Sequence, residues 1–334
     1  MTLPAAISLV ILVILYSSAI FAPFVSPYDF KAQSREYPNA PPAGIHISPI
    51  DEWHEGIFYI HPVKMTDIFK RKYEEDKSRK VYLDILTPEG RLFGLKEKEE
   101  RIFLFGSDAL GRDLFSRIVH GGRVSLTVGI LGVFISYTLG IIIGSIAGYF
   151  GGWLDNAIMR TAEIFMSVPS FFLLLALAVI IPSNISSAMT FILIVVIMSF
   201  LGWAGFARVI RGMVISERER DYIMAARSLG ATHGRILCKH IIPSTFNYTI
   251  ISATLSIPGF ILGESALSLL GLGIQEPDAS WGNLLASSQN VQNLINYPWI
   301  LIPGIFIFLT IMSYNFLGDY LRDLLSPRDE GGLK

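Results

Sequence analysis

Few side chains in this 334-residue sequence stand at spacings that suit chemistry, and those that do favour positioning over catalysis. Glu264 is the clearest acid inside a long apolar run. A carboxyl group placed there is costly, so it either lines a water-filled translocation path or has a structural role, capping the turn at Gly271–Gly273. Asp108 with Arg112, and Asp113 with Arg117, are acid–base pairs at i,i+4 spacing. They predict an amphipathic helix at a membrane surface, its charges in solvent or against an external protein. Arg160 and Glu163, at i,i+3, read as a structural ion pair. His46, His54 and His61 lack ligand-type spacing, so no metal site is expected, and His233 and His240 read as surface residues. Cys238 is the only cysteine, which excludes an intramolecular disulfide, and it reads as a buried spectator thiol. No G-x-x-x-x-G-K-[ST], H-E-x-x-H or G-x-S-x-G occurs, so neither catalytic residues, nor a cofactor, nor an ATP site in this chain is expected.

The elements around these residues are apolar and long. Only 16% of the residues are charged, against about a quarter in soluble domains, and most of that charge is confined to a few segments. The pattern is that of a polytopic membrane protein. Spans of about 20 apolar residues are expected from Pro4 to Val25, Val124 to Phe150, Ile158 to Ile181, Ala188 to Ala207, Phe246 to Leu272 and Pro298 to Gly318. The third breaks at Pro182-Ser183-Asn184. The first lacks the basic start of a secretory signal and is expected to be retained. Gly140, Gly144 and Gly148 form a small-residue ladder in the second span, for packing either within the chain or against a second subunit.

Orientation follows from the short loops. Arg208, Arg211, Arg218, Arg220, Arg227, Arg235 and Lys239 fall in one connection, whereas that from Gly273 to Tyr297 holds Glu276 and Asp278 and no Lys or Arg. Excess positive charge marks the cytoplasmic side, so both termini are expected inside and residues 26–107 outside. Within that external segment Thr66 to Asp76 reads as a charged helix. Val81 to Leu86 and Arg91 to Leu95, across Pro88-Glu89-Gly90, read as a hairpin.

The basic connection is the most informative segment. Ser216 and Glu219 form a capping-box signature, Gly230 suits a left-handed helix end, and a second short helix is expected through Arg235 and Leu237. Ile223, Ala226 and Leu229 are expected on one face, made smooth by Ala225 and Ala226. Such a helix–glycine–helix unit suits docking onto a cytoplasmic partner.

Ala225-Ala226-x-x-x-Gly230, followed by Pro243, resembles the E-A-A-x-x-x-G loop of ABC-importer permeases, with Met224 where the family usually has Glu. Three further stretches resemble the dipeptide and oligopeptide permeases (the peptide/nickel group): Phe105 to Arg117, Glu264 to Gly273 with Ser280-Trp281-Gly282, and Asn315 to Asp323 with Pro327-Arg328. Ala22-Pro23 and Ser26-Pro27-Tyr28-Asp29 match the exit of that family's first span. The stretch from about Gly44 to Ile102 is longer than the family pattern.

The resemblance implies an all-α membrane protein with six transmembrane helices, the type I ABC-importer permease fold, carrying a small α+β extracytoplasmic insertion between helices 1 and 2. Its parts would be a first helix (1–25), the insertion (26–107), a permease core (108–325) with a coupling loop at 211–243, and a cytoplasmic tail (326–334). Implied partners are a second homologous permease subunit, two ATP-binding subunits and an external substrate-binding protein, in a prokaryotic inner membrane. Tyr222, Ile223, Ala225, Ala226, Leu229 and Gly230 would meet the ATPase. The cargo would be peptides, with nickel, glutathione or an oligosaccharide as alternatives; an ion-coupled carrier without an ATPase is the alternative of another class.

Overall fold

The computed structural model describes residues 2–67, 71–88, 90–97, 100–182 and 185–325. Ser183, Asn184 and Pro327-Arg328, singled out above, lie outside them, as do Glu89 and the tail 326–334. Helix α1 spans Leu3–Ile20. Strands β1 (Ile45–Ile47), β2 (Phe58–Ile60), β3 (Val63–Asp67), β4 (Lys72–Glu75), β5 (Val81–Ile85) and β6 (Phe93–Leu95) follow. The main remaining helices are α2 (Leu114–Phe150), α3 (Gly152–Ser167), α4 (Ser170–Val179), α5 (Ser187–Arg218), α6 (Asp221–Ser228), α7 (His233–Ile236), α8 (Phe246–Leu269) and α9 (Ile302–Leu325). Short helical turns join α8 to α9.

Among the described residues, five helices are long and apolar enough to cross a membrane. They are α1, α2, α5, α8 and the segment Pro298–Leu325 that contains α9. The expected third span is not one straight helix: α3 and α4 meet at 83°. The reason is local. Pro169 has no N–H to donate and forbids helical geometry at the residue before it, and Val168 is accordingly extended, at φ −95° and ψ 131°. A sixth crossing exists only if this bent pair is counted as one.

The chain forms two compact units. The first is built mainly from Thr127–Leu267, with the segments up to Ile11 and from Thr310 onward. Here the glycine ladder packs within the chain. A methyl on Gly140 would stand 2.6 Å from Phe206, one on Gly144 would strike the Ala207 carbonyl, and one on Gly148 would lie 2.7 Å from the Arg211 carbonyl. Three glycines four residues apart thus let α2 lie against the backbone of α5, close packing that compensates for the weak hydrophobic drive between helices in lipid. Trp203, Ala204 and Ala207 of α5 and Ala162 of α3 form a buried cluster beside this contact. The Arg160–Glu163 pair is present at 2.9 Å, and Arg208 joins it at 3.0 Å.

The second unit comprises Leu12–Leu126 and Ser268–Leu309. Its lobe is a four-stranded antiparallel sheet in the order β1-β2-β5-β6, with a separate β3–β4 hairpin. Ile60, Val81 and Ile102 are its buried centre, with Tyr28 packed against them; the Tyr28 hydroxyl accepts a hydrogen bond from the Ile102 amide. The β5–β6 hairpin expected from Val81 to Leu95 is present, with Ile85 opposite Phe93. The charged helix expected from Thr66 to Asp76 is not: its described residues lie in or beside β3 and β4. Met65 stands directly opposite Tyr73, so cross-strand pairing of apolar side chains outweighs a charge pattern that only mimics a helix face. Among the described residues of 26–107 the only helical turn is Ile50–Glu52. Among its described residues, the lobe expected to be α+β is built mainly of strands.

Ser280-Trp281-Gly282 acts in the same unit. Ser280 and Asn283 form a reciprocal cap, and buried Trp281 donates its indole N–H to the Ile118 carbonyl at 2.9 Å. Gly121 and Gly122 of α2 leave room for this segment.

Candidate functional site

The basic connection after α5 builds an exposed helical pair. Ser216 does not open a new helix. It lies inside α5, which continues to Arg218, where the guanidinium donates to the Gly148 carbonyl at 3.0 Å. The expected capping box is therefore absent, and α6 begins at Asp221, an acid suited to the positive end of a helix dipole. At the far end of α6, Ala231 N–H donates to the Ala226 carbonyl at 3.1 Å and Gly230 N–H to that of Arg227 at 3.0 Å. This doubled closure needs a left-handed residue between, and Gly230 takes φ +81°. Thr232 then caps α7, the second short helix.

Exposure along α6 divides the residues expected to dock. Ile223 is buried and Ala226 half-buried, whereas Leu229 is 88% exposed. The face expected from Ile223, Ala226 and Leu229 is therefore split, because Leu229 lies past the last helical residue. The outward face consists instead of Tyr222, Ala225 and Leu229, with Met224 beside it, all exposed. Tyr222 and Ala225, three residues apart, share one side of α6, and exposed Leu229 follows at its C-cap. The Tyr222 hydroxyl donates to Glu217, a bond that together with partial desolvation raises its pKa.

The unit is anchored by groups that spacing alone left unassigned. Tyr149, near the end of α2, hydrogen-bonds His233 Nδ1 at 2.8 Å, and the Arg227 guanidinium lies 6.0 Å from the Tyr149 ring. His233 is exposed, as expected of a surface residue, and also tethers the unit to α2. Cys238, expected to be buried, is exposed. It follows α7 in the segment leading to Pro243, and only Ile236 and Ile241 there turn inward.

A cavity of about 790 Å³ opens in the first unit among α2, α4, α5 and α8. Its wall includes Tyr137, whose hydroxyl bonds Ser252 at 2.8 Å and Ser256 at 2.6 Å, and no lining residue carries a formal charge. Glu264 is fully buried, hydrogen-bonded to Ser265 at 3.5 Å, and is not part of this wall.

In the second unit, Asp108–Arg117 also departs from expectation. There is no helix before Leu114, because Gly111 takes φ +70° against the Ser34 carbonyl and Asp113 caps the start of α2 by accepting from Ser116 N–H at 2.8 Å. Burial pushes the Asp113 carboxyl up to about 6, against the opposing effect of its Ser116 hydrogen bonds. The cations are not in solvent. Arg112 and Arg117 are both buried, and both pair with Asp108, each at 2.7 Å. Glu276 completes the cluster by accepting from Arg112 and, at 2.9 Å, from Arg117.

Against known proteins, residues 140–329 match the family described as binding-protein-dependent transport system inner membrane component, more than half of the chain. The chain belongs to this family. The matched stretch holds the glycine ladder, the helical pair after α5 and Glu264. A second match, to the N-terminal TM domain of oligopeptide transport permease C, covers residues 4–42 of the permease. Residues 43–139, and with them the β lobe, fall between the two matches.

Curated relatives agree. The permease is 44% identical over 231 residues to the "Oligopeptide transport system permease protein OppC" of Haemophilus influenzae, covering 69% of this chain and 72% of that one. It is 35% identical over 300 residues to the "Dipeptide transport system permease protein DppC" of Alkalihalophilus pseudofirmus, covering 87% and 95%. A solved structure of the "MetNI methionine ABC transporter" aligns over 64% of this chain and 98% of that chain, at 20% identity and a TM-score of 0.46. By its family match and its curated relatives, the protein is a multi-pass inner-membrane permease component of a binding-protein-dependent transport system.

Proposed function

We propose that the permease forms half of a translocation path for dipeptides or oligopeptides and receives mechanical work from ATPase subunits through α6. The observation that carries this reading is the outward face of Tyr222, Ala225 and Leu229, held rigid by the Gly230 closure and tethered to α2 through His233 and Tyr149. A rigid exposed helix fixed to a long membrane helix transmits a push; a mobile loop would absorb it. Ile223 and Ala226 position this helix from beneath, and Gly230 lets the chain reverse direction.

The basic loop is placed in the cytoplasm with both termini, and the β lobe outside. The partners are a second homologous permease subunit, two ATP-binding subunits and an external binding protein. ATP hydrolysis belongs to the separate subunits, since this chain has no phosphate-binding loop. The names of the relatives point to peptide cargo, and the uncharged cavity wall suits a solute of variable side-chain charge. Glu264, buried and not part of the wall, takes the structural role rather than one in the path.

Leu229→Asp tests the coupling face. The position is exposed, so the chain should fold and insert. In proteoliposomes with all partner subunits, peptide uptake should fall on the order of a hundredfold, as for loss of a central contact worth about 3 kcal/mol. Wild-type uptake by this variant, or uptake by the permease with no ATPase bound, would overturn the proposal.

A further inference from the structure

The cavity wall contains two glycines that no packing within the chain explains. A methyl on Gly205 of α5 or Gly259 of α8 would meet nothing within 4 Å, although both line the cavity. Their neighbours differ. A methyl on Gly202 would stand 2.6 Å from Ser136 Oγ, and one on Gly263 would strike Met198. Glycine inside a helix costs about 1 kcal/mol relative to alanine. Neither Gly205 nor Gly259 has a positive φ, so no backbone need offsets that cost. The space they keep open is free to receive something from outside this chain.

Chemistry of the wall indicates what that is. Ser136 lines the cavity, is buried, and among the described residues its hydroxyl has no hydrogen-bond partner. An orphaned buried hydroxyl costs roughly 1–3 kcal/mol, a cost removed when a ligand supplies the missing bond. Nearby, Tyr137 gathers the Ser252 and Ser256 hydroxyls, and its ring stacks on Phe206 with centroids 3.9 Å apart. Hydroxyls that can both donate and accept suit the alternating N–H and C=O groups of an extended peptide main chain. Aromatic faces and the absence of formal charge suit side chains of any charge.

We propose that Gly205 and Gly259 form a size filter in the translocation path, setting the largest peptide side chain that passes while Ser136 and the Tyr137 cluster engage the main chain. This rests on the peptide-importer reading above and adds to it where selection by bulk, as opposed to charge, is exerted.

The test uses the complete importer in proteoliposomes, comparing Gly259→Leu and Gly205→Leu with the wild type for uptake of trialanine and triphenylalanine. Each leucine fills the open space, so the ratio of triphenylalanine to trialanine uptake should fall on the order of tenfold. The same variants should leave unchanged the uptake ratio of triglutamate to triglutamine, which differ in charge at similar size. Tyr137→Phe, which keeps the ring and removes the hydroxyl, should lower uptake of both alanine and phenylalanine peptides alike. An unaltered bulk ratio in both leucine variants would overturn the filter. Loss of the second permease subunit on co-purification would overturn it too, because the space would then be a subunit contact. A wild-type complex that moves neither peptide would instead sink the importer reading, and the filter with it.

Discussion

At the scale of single residues, the buried charges on the Asp108–Arg117 segment are the largest departure from what spacing suggests. Two arginines and two acids make the cluster neutral, and Asp108 serves both cations. Breaking such a cluster costs far more than a surface pair is worth, because it strands a buried charge. Asp108→Asn leaves Arg112 and Arg117 to share Glu276 and should destabilise the solubilised protein by about 3 kcal/mol, read as a lowered thermal midpoint. Asp113 gives a pH dependence of opposite sense to an ordinary carboxylate. Its folded pKa is raised from 3.8 to about 6, so the stability it contributes is full below pH 4 and is lost as pH rises through 6. Asp113→Asn should flatten that loss, which is a few kcal/mol at most, when unfolding is followed from pH 4.5 to 7.5. The i,i+4 spacing of Asp108 and Arg112 correctly indicated a pair. Nothing local could indicate Glu276, which reaches the cluster from 164 residues away.

At the scale of elements, hydrophobic runs located the long helices, since a membrane-length apolar segment leaves few alternatives. The ends were less legible. Helix α5 runs eleven residues past its expected end at Ala207, because Ile210 and Val214 are buried and Arg218 bonds back to α2. The glycine ladder was visible in the sequence, but its partner was not; only the approach of Ala207, Ile210 and Val214 shows that it serves α5. Gly144→Leu should therefore fail through helix packing, at a cost of about 3 kcal/mol, visible as reduced thermal stability of the isolated permease. The segment proposed to couple to the ATPase was the most legible part. Gly230 and the Ala225-Ala226 pair mark it by local chemistry, whereas the split between inward Ile223 and outward Leu229 depends on where α6 ends.

At the scale of the whole molecule, the β lobe stands apart from the family frame, outside both matched stretches. Its two ends meet: the Ala43 amide donates to the Phe103 carbonyl at 2.8 Å. Replacing residues 45–100 with a short Gly-Ser linker should close without strain, since loop-closure cost changes slowly with length. The shortened permease is expected to insert and co-purify with its ATPase subunits; failure to insert would show that the lobe is needed for folding.

Composition and local order by themselves determined that this is a multi-pass membrane protein and marked the helix–glycine–helix segment for which docking is proposed. Apolar length, loop charge and a glycine turn are properties of neighbouring residues. Tertiary structure alone decided which helix the glycine ladder serves, that the paired arginines are buried, that the described residues of Thr66–Asp76 lie in or beside strands, and that Gly205 and Gly259 face open space. Each of those depends on residues far away in the chain, and contact at long range leaves no periodic trace in a single sequence.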